Sequence, residues 1–354
     1  MKYADYVDYS KLDPFKQRIM KMLESTFKNI ERLGIRVVPE SIGEPATLFD
    51  FIDYDFMLAF KTDGVGTKNK VADKMNLSEK VNGTRHYTGF GQDLIAMNAN
   101  DIICLNAIPF ALTDEIASGA SEWFSDEKRI NELIQGLVDG CDEAGMTIPC
   151  GETPTLPGII LPESANMTGS SIGIVKPKEK AIFGQKLQEG DIIYGLPSSG
   201  IHSNGLSLAR AIAEKLPLGY STKIGDRTLG ELLLTPTRIY VKQVLELSDK
   251  IDIHYMSNIT GSAFRKIMRA KKIFTYLVEN LPEPQEIFRF LQEKGSVSDY
   301  EAYQTWNMGV GFVIFSTKDA KSEIEKVGGF QLGRVEKGDK RVLIKPKNIE
   351  YKEE

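Results

Sequence analysis

The chain has few cysteines, no excess of basic over acidic residues and no long apolar run. Three cysteines occur in 354 residues, and Cys104, Cys141 and Cys150 have no metal-type spacing, so we expect buried thiols in a reducing compartment. No apolar run approaches the roughly 18 residues of a membrane span, and the opening MKYADYVDYSKLDPF has no apolar signal core. The net charge of −5 argues against nucleic-acid binding. We therefore expect a cytoplasmic protein with neither a membrane nor a nucleic-acid partner.

The length and the composition predict two domains of ordinary size. The sequence has 42% hydrophobic and 26% charged residues, which is typical of globular proteins. Short β-rich runs (FMLAF, SSIGIV and DIIYGL) alternate with helical patterns, so the fold class is α/β or α+β. A charged connector at 176–186 follows the second run, and we place the boundary there, between a domain at 1–175 and a domain at 176–354.

Two segments have the apolar spacing of amphipathic helices, 13–33 and 126–144. In the first segment, Asp13 is the expected N-cap and the following proline the first helical residue, while Gly34 ends the helix. In the second segment, Gly145 ends the helix. We expect the apolar face of each helix to pack into a core.

The first candidate site is Lys61 to Lys68, KTDGVGTK, which closes the strand FMLAF. Gly64 and Gly66 allow the backbone to approach a ligand or to adopt positive φ. Asp63 offers a hard oxygen ligand for Mg²⁺, and Lys68 offers a cation for a phosphate. The alternative is a hairpin turn, because Asp-Gly is a common type I′ pair.

The second candidate site is GFGQDLIAMNAND, Gly89 to Asp101, which predicts a helix with a polar face. At about 100° per residue, Asp93 and Asn100 lie within about 20° of each other, and Asp101 flanks them. Solvated helix faces usually mix charge signs, but this face has no lysine or arginine. It favours a cation site, with a solvated surface as the alternative. Together with KTDGVGTK it indicates a magnesium–phosphate site and hence ATP chemistry.

Glu152, in CGETPTLPG, is the third candidate. It follows a glycine at a strand end, where it could join a metal shell or position a substrate. The alternative is an exposed glutamate in a proline-rich loop.

The fourth candidate is the loop in PSSGIHSNGLSLAR, Pro197 to Arg210. Ser199 and Gly200 precede a helix that begins near Leu206, and backbone N–H groups at such a helix start bind anions. His202 could donate to a phosphate or act as a general acid or base near neutral pH. The alternative is a turn with an exposed histidine and an N-cap at Ser203 or Asn204.

Two later segments have a structural interpretation. LLTPTRIYVK is expected to open a helix at Pro236, which would put Arg238 beside the entrance. WNMGVG is expected to form a strand in which backbones pack closely.

In this order, the segments resemble the phosphoribosylformylglycinamidine cyclo-ligase family, also called aminoimidazole ribonucleotide synthetases. The resemblance covers about 63–336, and seven ordered segments are far more specific than any one of them. The segments are TDGVGTK, GQDLIAMNAND, CGETPTLPG, SSGIHSNGLSLAR, LLTPTRIYVK, YEAYQTWNMGVGFVIF and LGRVEKGD.

The resemblance implies a homodimer with an N-terminal sheet that pairs across the dimer and a C-terminal α/β domain behind it. It also implies an activity, in which ATP with Mg²⁺ phosphorylates the formyl oxygen of formylglycinamidine ribonucleotide. The amidine nitrogen then attacks the same carbon, phosphate leaves, and aminoimidazole ribonucleotide forms. Phosphorylation turns a poor leaving group into a good one, so positioning and charge stabilisation suffice.

The family's site residues transfer to matching positions of this chain. Nucleotide binding is implied for Asp63, Gly64, Gly66, Thr67, Lys68, Asp93, Asn100 and Asp101. Metal binding is implied for Asp63, Asp93 and Asp101. Substrate binding is implied for Glu152, Ser199, Gly200, His202, Ser203 and Asn204. Catalytic roles are implied for Asp63, Lys68 and His202.

The chain departs from the family pattern in two places. The glycine-rich segment that usually precedes TDGVGTK has only Gly43 here, and the triple-glycine turn is replaced by NITGSAFRKIMR with only Gly261. Two alternatives therefore stay open: a paralogue that phosphorylates or cyclises another small substrate, and a non-catalytic nucleotide-binding dimer.

Overall fold

The computed structural model describes residues 1–78 and 86–353 and contains two large sheets, one in each half of the chain. The strands of the first half are β1 Ile35–Val37, β2 Thr47–Phe51, β3 Met57–Gly64, β4 Ile108–Ser118, β5 Gly151–Glu152 and β6 Ala165–Val175. Its helices are α1 Tyr9–Leu23, α2 Lys68–Ser78, α3 Thr88–Ile103 and α4 Glu127–Ala144.

The second half is also a mixture of strands and helices. Its strands are β7 Ile192–Pro197, β8 Lys223–Ile224, β9 Arg227–Thr228, β10 Ile253–Asn258, β11 Thr275–Val278, β12 Val310–Ser316, β13 Phe330–Glu336, β14 Arg341–Ile344 and β15 Ile349–Lys352. Its helices are α5 Leu206–Ala213, α6 Leu229–Leu233, α7 Val241–Ser248, α8 Glu286–Gly295, α9 Asp299–Thr305 and α10 Lys321–Lys326. The predicted mixed α/β class is confirmed.

Both sheets are mainly antiparallel. The first has the order β1-β2-β3-β6-β4-β5, with only the β4–β5 pair parallel. The second has the order β10-β12-β7-β13-β11-β14-β15, with a parallel β11–β14 pair. The three predicted runs lie in β3, β6 and β7, so those strands are confirmed.

Helix α3 lies between the first sheet and α4, and close backbone contacts hold it there. A Cβ added at Gly173 of β6 would come 2.5 Å from Ile102 Cγ2 of α3. A Cβ added at Gly136 of α4 would come 1.9 Å from the backbone oxygen of Thr88. Glycine at these two positions therefore sets how closely α3 approaches its neighbours, and α3 is the element that positions the candidate site.

The outer face of the first sheet exposes apolar side chains. Phe60 of β3 and Ile108 and Phe110 of β4 are 46%, 50% and 40% exposed. Alternation along β3 turns Lys61 and Asp63 to the opposite face, toward α3.

The predicted helix ends are confirmed, but one predicted start and one predicted face are wrong. Gly34 and Gly145 adopt left-handed conformations with φ of 68° and 70° at the ends of their helical segments. The first helix begins at Tyr9, so the proline after Asp13 lies inside it, and it continues as a 3-10 helix over Glu24–Leu33. Its apolar side chains are exposed, as Phe15 at 64% shows.

Three smaller predictions need correction as well. No helix opens at Pro236, because α7 begins only at Val241. Cys150 is exposed, whereas Cys104 is buried as expected. The Asp-Gly pair of KTDGVGTK does not form a hairpin turn, because β3 continues to Gly64 and α2 begins at Lys68. Over the described ranges 1–78 and 86–353, no helix is both long enough and apolar enough to cross a membrane.

Candidate active site

The polar face of α3 is buried against the second half of the chain. Asp93 accepts a hydrogen bond of 2.7 Å from the backbone N–H of Thr237. Asn100 accepts from the backbone N–H of Tyr240 at 2.9 Å and donates to the carbonyl oxygen of Arg238 at 2.8 Å. The face is therefore not a solvated surface, since it joins the two halves of the protein.

Lys68 and Asp93 form a fully buried ion pair at this junction. The ammonium lies 2.7 Å from Asp93 Oδ2 and donates to the carbonyl oxygen of Thr235 at 2.8 Å. Both side chains are 0% exposed. Burial lowers the pKa of Lys68, although the neighbouring carboxylate raises it. Phosphate binding by Lys68 and metal binding by Asp93 stay predictions, and here these groups engage each other.

A second cluster joins Asp63 and Asp101 through one lysine. Lys61 Nζ lies 3.1 Å from Asp63 Oδ2 and 2.7 Å from Asp101 Oδ2. Asp101 Oδ1 accepts a hydrogen bond of 2.8 Å from Asn258 Nδ2 at the end of β10. The two carboxylates therefore converge on one ammonium group where the first half meets the second.

Charge compensation in this cluster is mutual. Burial alone would raise the pKa of Asp101, but the ammonium groups of Lys61 and Lys266 hold it below its usual value. Burial would lower the pKa of Lys61, but Asp101 and Asp63 raise it. The Asp101 carboxylate is thus ionised near neutral pH, as a ligand for a cation must be.

Sequence reasoning missed three members of this region: Lys61, Asn258 and Lys266. Lys61 could have been predicted, because it lies two residues before Asp63 in the same strand and therefore on the same face of the sheet. Asn258 and Lys266 flank the altered glycine turn, and no local pattern linked them to Asp101.

A cavity of about 750 Å³ lies between the N-terminal segment and the second half of the chain. One wall comes from the N-terminal segment, including Tyr3, Asp8 and Asp13, and another comes from 262–269. Lys266 lines this cavity and acts electrostatically on Asp101, but neither Asp63 nor Asp101 lines it.

His202 is buried and neutral. It is 1% exposed, with φ of 61°, and its Nε2 accepts a hydrogen bond of 3.2 Å from the backbone N–H of Ser199. Burial, with help from Lys68 and Arg238, lowers its pKa to about 3. The exposed-histidine alternative is therefore wrong, and a role as proton donor near neutral pH stays a prediction.

The other residues of the predicted substrate loop lie against 235–237. Ser199 donates to the carbonyl oxygen of Pro236 at 2.6 Å, and the hydroxyls of Ser203 and Thr237 are 3.0 Å apart. Asn204 Nδ2 lies 3.9 Å from the sulfur of Met97 on α3. Gly205 rather than Ser203 or Asn204 is the N-cap of α5.

Glu152 is exposed on the short edge strand β5, where it pairs in register with Glu115 of β4. Its roles in metal or substrate binding stay predictions.

The donor set at Asp63 and Asp101 fits magnesium. Mg²⁺ is usually held by one or two carboxylates together with phosphates and waters, and these carboxylates already converge on a cation. Within the described part of the chain, no group of three or more His, Cys, Asp or Glu side chains is placed to hold a metal. Asp93 does not share the point at which Asp63 and Asp101 meet.

Comparison with known proteins agrees with the two-sheet architecture. Residues 43–175 match the family model "AIR synthase related protein, N-terminal domain", and residues 188–345 match "AIR synthase related protein, C-terminal domain". The solved structure of AaThiL complexed with AMPPCP and TMP superimposes with a TM-score of 0.63 at 15% identity, over 99% of this chain and 97% of that chain. Thiamine monophosphate kinase from Aquifex aeolicus does so with a TM-score of 0.59 at 15% identity, over 93% and 97%. Fold and site together define an AIR synthase related protein.

Curated relatives narrow this class. A phosphoribosylformylglycinamidine cyclo-ligase of Methanocaldococcus jannaschii is 42% identical over 320 residues, which are 88% of this chain and 85% of the relative. One of Methanosarcina acetivorans is 37% identical over 345 residues, 96% of each chain. The chain belongs to the phosphoribosylformylglycinamidine cyclo-ligase family.

Proposed function

We propose that the protein catalyses the ATP-dependent ring closure of formylglycinamidine ribonucleotide to aminoimidazole ribonucleotide. The observation that carries this proposal is the convergence of Asp63 and Asp101 on one cationic point, the ammonium of Lys61. Family membership supplies the substrate class, and Asp63 and Asp101 supply carboxylates for a metal.

Asp63 and Asp101 are the residues that would hold Mg²⁺. When bound, Mg²⁺ and ATP supply charge screening and a transferable phosphoryl group. Gly64, Gly66 and Thr67 lie directly after Asp63 in the strand-to-helix junction, and Gly66 has φ of 58° with nothing within 4 Å of an added Cβ. This open backbone is the proposed contact for the nucleotide phosphates.

Lys68, Asp93 and Asn100 have a supporting role in this proposal, because they connect the first half of the chain to the second. Their contacts with 235–240 fix α3 against the second half and thereby orient Asp101, which is on the same helix. Preorganised charge of this kind is the largest contribution that a protein makes to phosphoryl transfer.

The substrate side comprises the loop from Ser199 to Asn204. In this proposal Ser199, Gly200, Ser203 and Asn204 orient the ribonucleotide, and Glu152 reaches it from the sheet edge. His202, neutral and buried, keeps the loop in shape through its Nε2 and presents no charge to the substrate.

The active form is a cytoplasmic homodimer in this proposal. The exposed apolar row of Phe60, Ile108 and Phe110 lies on a sheet face that a second copy would cover. A C2 dimer would bring the same face from both copies together.

The direct test is to incubate the purified protein with formylglycinamidine ribonucleotide, ATP and Mg²⁺ and to measure aminoimidazole ribonucleotide and ADP. Both products should form in equal amounts. ADP release with thiamine phosphate but not with the ribonucleotide would instead favour a paralogue with another substrate. Absence of both products would favour the remaining alternative, a non-catalytic nucleotide-binding dimer.

Replacing Asp101 by Asn tests the metal assignment. The substitution keeps an acceptor for Asn258 but removes a charge, so we expect the Mg²⁺ concentration for half-maximal activity to rise about tenfold or more. The exposed Asp53→Asn is the matched control. An unchanged magnesium dependence in Asp101→Asn would place the metal elsewhere.

A further inference from the structure

Lys61 occupies the point at which the two proposed metal ligands meet. Its ammonium lies 3.1 Å from Asp63 Oδ2 and 2.7 Å from Asp101 Oδ2. The other oxygen of each carboxylate already has a partner within the protein. Asp63 Oδ1 accepts the backbone N–H of Gly64 at 2.8 Å, and Asp101 Oδ1 accepts from Asn258 Nδ2 at 2.8 Å. The two oxygens that remain for a metal are therefore the two that hold Lys61.

A divalent cation and the Lys61 ammonium cannot share this position. The side chains of Lys61 and Asp101 are only 18% and 3% exposed. Water and salt therefore screen the repulsion between two cations weakly here. A metal that binds to Asp63 and Asp101 has to displace the ammonium from both carboxylates.

Displacement of the ammonium is unfavourable for a bare metal ion. Mg²⁺ would neutralise the two carboxylates and leave Lys61 without a counter-charge, while Lys266 and Arg269 also act electrostatically on Asp101. A magnesium ion that arrives with a polyphosphate supplies the missing negative charge. The ammonium can then pair with a phosphate oxygen in place of the carboxylates.

Lys61 is able to make this exchange without a change in the backbone. It lies two residues before Asp63 in β3, so the two side chains extend from the same face of the sheet. The ammonium is a compact charge on a flexible four-carbon stem. A rotation of the stem therefore carries the charge from the carboxylates to a ligand bound beside them, while Asp63 stays in place.

From this geometry we infer that Lys61 is a displaceable counter-cation, through which the site selects magnesium bound to a polyphosphate over free magnesium. The inference rests on the proposed function, which places Mg²⁺ at Asp63 and Asp101. Without ligand the ammonium keeps the two carboxylates paired, and in the complex it contacts a phosphate of the nucleotide. Magnesium and the nucleotide then favour each other's binding, because each offsets the cost of moving Lys61.

The test uses the full-length protein and the variants Lys61→Met, Lys61→Arg and Lys70→Met. Lys70 is the matched control, since it is 23% exposed and pairs with Glu163 instead of the two aspartates. Calorimetry measures the binding of Mg²⁺ alone and of Mg·ADP. Thermal unfolding is followed in EDTA and in Mg²⁺, so neither readout depends on activity.

We expect Lys61→Met to bind Mg²⁺ alone at least about tenfold more tightly than the wild type and Mg·ADP about tenfold more weakly. In EDTA the variant should melt at a lower temperature, because two carboxylates are left unpaired, and Mg²⁺ should restore the loss. Lys61→Arg keeps the charge and should bind free Mg²⁺ as weakly as the wild type. Lys70→Met should match the wild type in every measurement.

The inference is overturned if Lys61→Met binds free Mg²⁺ no more tightly than the wild type, or if its Mg·ADP affinity is unchanged. A loss of stability that Mg²⁺ does not restore would also overturn it, because Lys61 would then be a purely structural partner of the aspartates. Lys61→Gln, neutral but still a donor, gives the same comparison if Lys61→Met does not fold. Failure of the proposed function appears separately, as absence of product in the wild type.

Discussion

At the residue scale, the site is governed by how buried charges are paired. Asp93 and Asp101 lie on one helix face and both have acidic side chains, yet they serve different partners. Asp93 pairs with Lys68 and Thr237, whereas Asp101 pairs with Lys61 and Asn258. The same residue type therefore has different partners at two positions of one helix, because each position faces a different segment of the second half.

We expect Asp93→Asn to destabilise the protein. The change keeps an acceptor for Thr237 but leaves the buried Lys68 without a counter-charge, which costs about 3 to 5 kcal/mol of unfolding free energy. Urea unfolding measures this loss. The double variant Asp93→Asn/Lys68→Met should recover part of it, since both charges are then removed. Full stability of Asp93→Asn alone would show that the pair contributes nothing.

The neutral state of His202 predicts a pH dependence of stability. Its folded pKa of about 3 lies below the ordinary value of 6.5. Between these pH values the unfolded chain binds the additional proton, so stability falls as the pH drops below about 6.5, by up to about 1.4 kcal/mol per pH unit.

To test this, the free energy of unfolding is measured between about pH 4 and about pH 7 for the wild type and for His202→Gln. The difference between the two proteins isolates His202 from other titrating groups. The variant should have the smaller slope. Parallel curves would mean that His202 is protonated as easily in the folded protein as in the unfolded chain.

At the element scale, the position of α3 depends on small residues. Gly91 and Gly136 let α3 and α4 approach so closely that a Cβ on either would meet the other helix's backbone. Helix α1 shows the opposite case, since its apolar spacing predicts a packed face but Phe15 and Met22 are exposed at 64% and 65%. Periodicity identifies a helix and its stripe, but it does not say what covers the stripe.

We predict that Gly136→Ala costs about 3 kcal/mol of stability and lowers activity. The new methyl group would lie 1.9 Å from the backbone oxygen of Thr88, so α3 must shift and carry Asp101 with it. Thermal unfolding and turnover report the two effects. Glu143→Ala, exposed on the same helix, should change neither. Unchanged melting of Gly136→Ala would contradict the close approach of the helices.

At the scale of the whole molecule, the two halves meet through side chains of α3 and backbone groups of 235–240. The first sheet meanwhile keeps an exposed apolar face. The cleft is thus defined by interactions within one chain, and the proposed dimer involves a different surface.

The dimer is tested by Phe60→Glu. Two copies of the sheet face would bring two buried carboxylates together, so we expect the variant to be a monomer in light scattering at micromolar concentration. Leu218→Glu, at an exposed apolar residue of the second half, is the control and should leave the mass unchanged. A wild-type monomer, or a dimeric Phe60→Glu, would rule out this face as the interface.

Local pattern alone determined much of this protein: the α/β class, strands β3, β6 and β7, the glycine ends at Gly34 and Gly145, and the family through its ordered motifs. These features depend on spacing and turn chemistry within a few residues, which a sequence shows directly.

Only the tertiary structure decided which polar groups meet. Lys61 joins Asp63 to Asp101, Lys68 pairs with Asp93, and Lys266 lowers the pKa of Asp101 from a segment that the sequence marked only as an altered turn. The physical reason is that the strength of a charge interaction depends on distance and burial. Both are set by packing between segments that lie far apart in the chain.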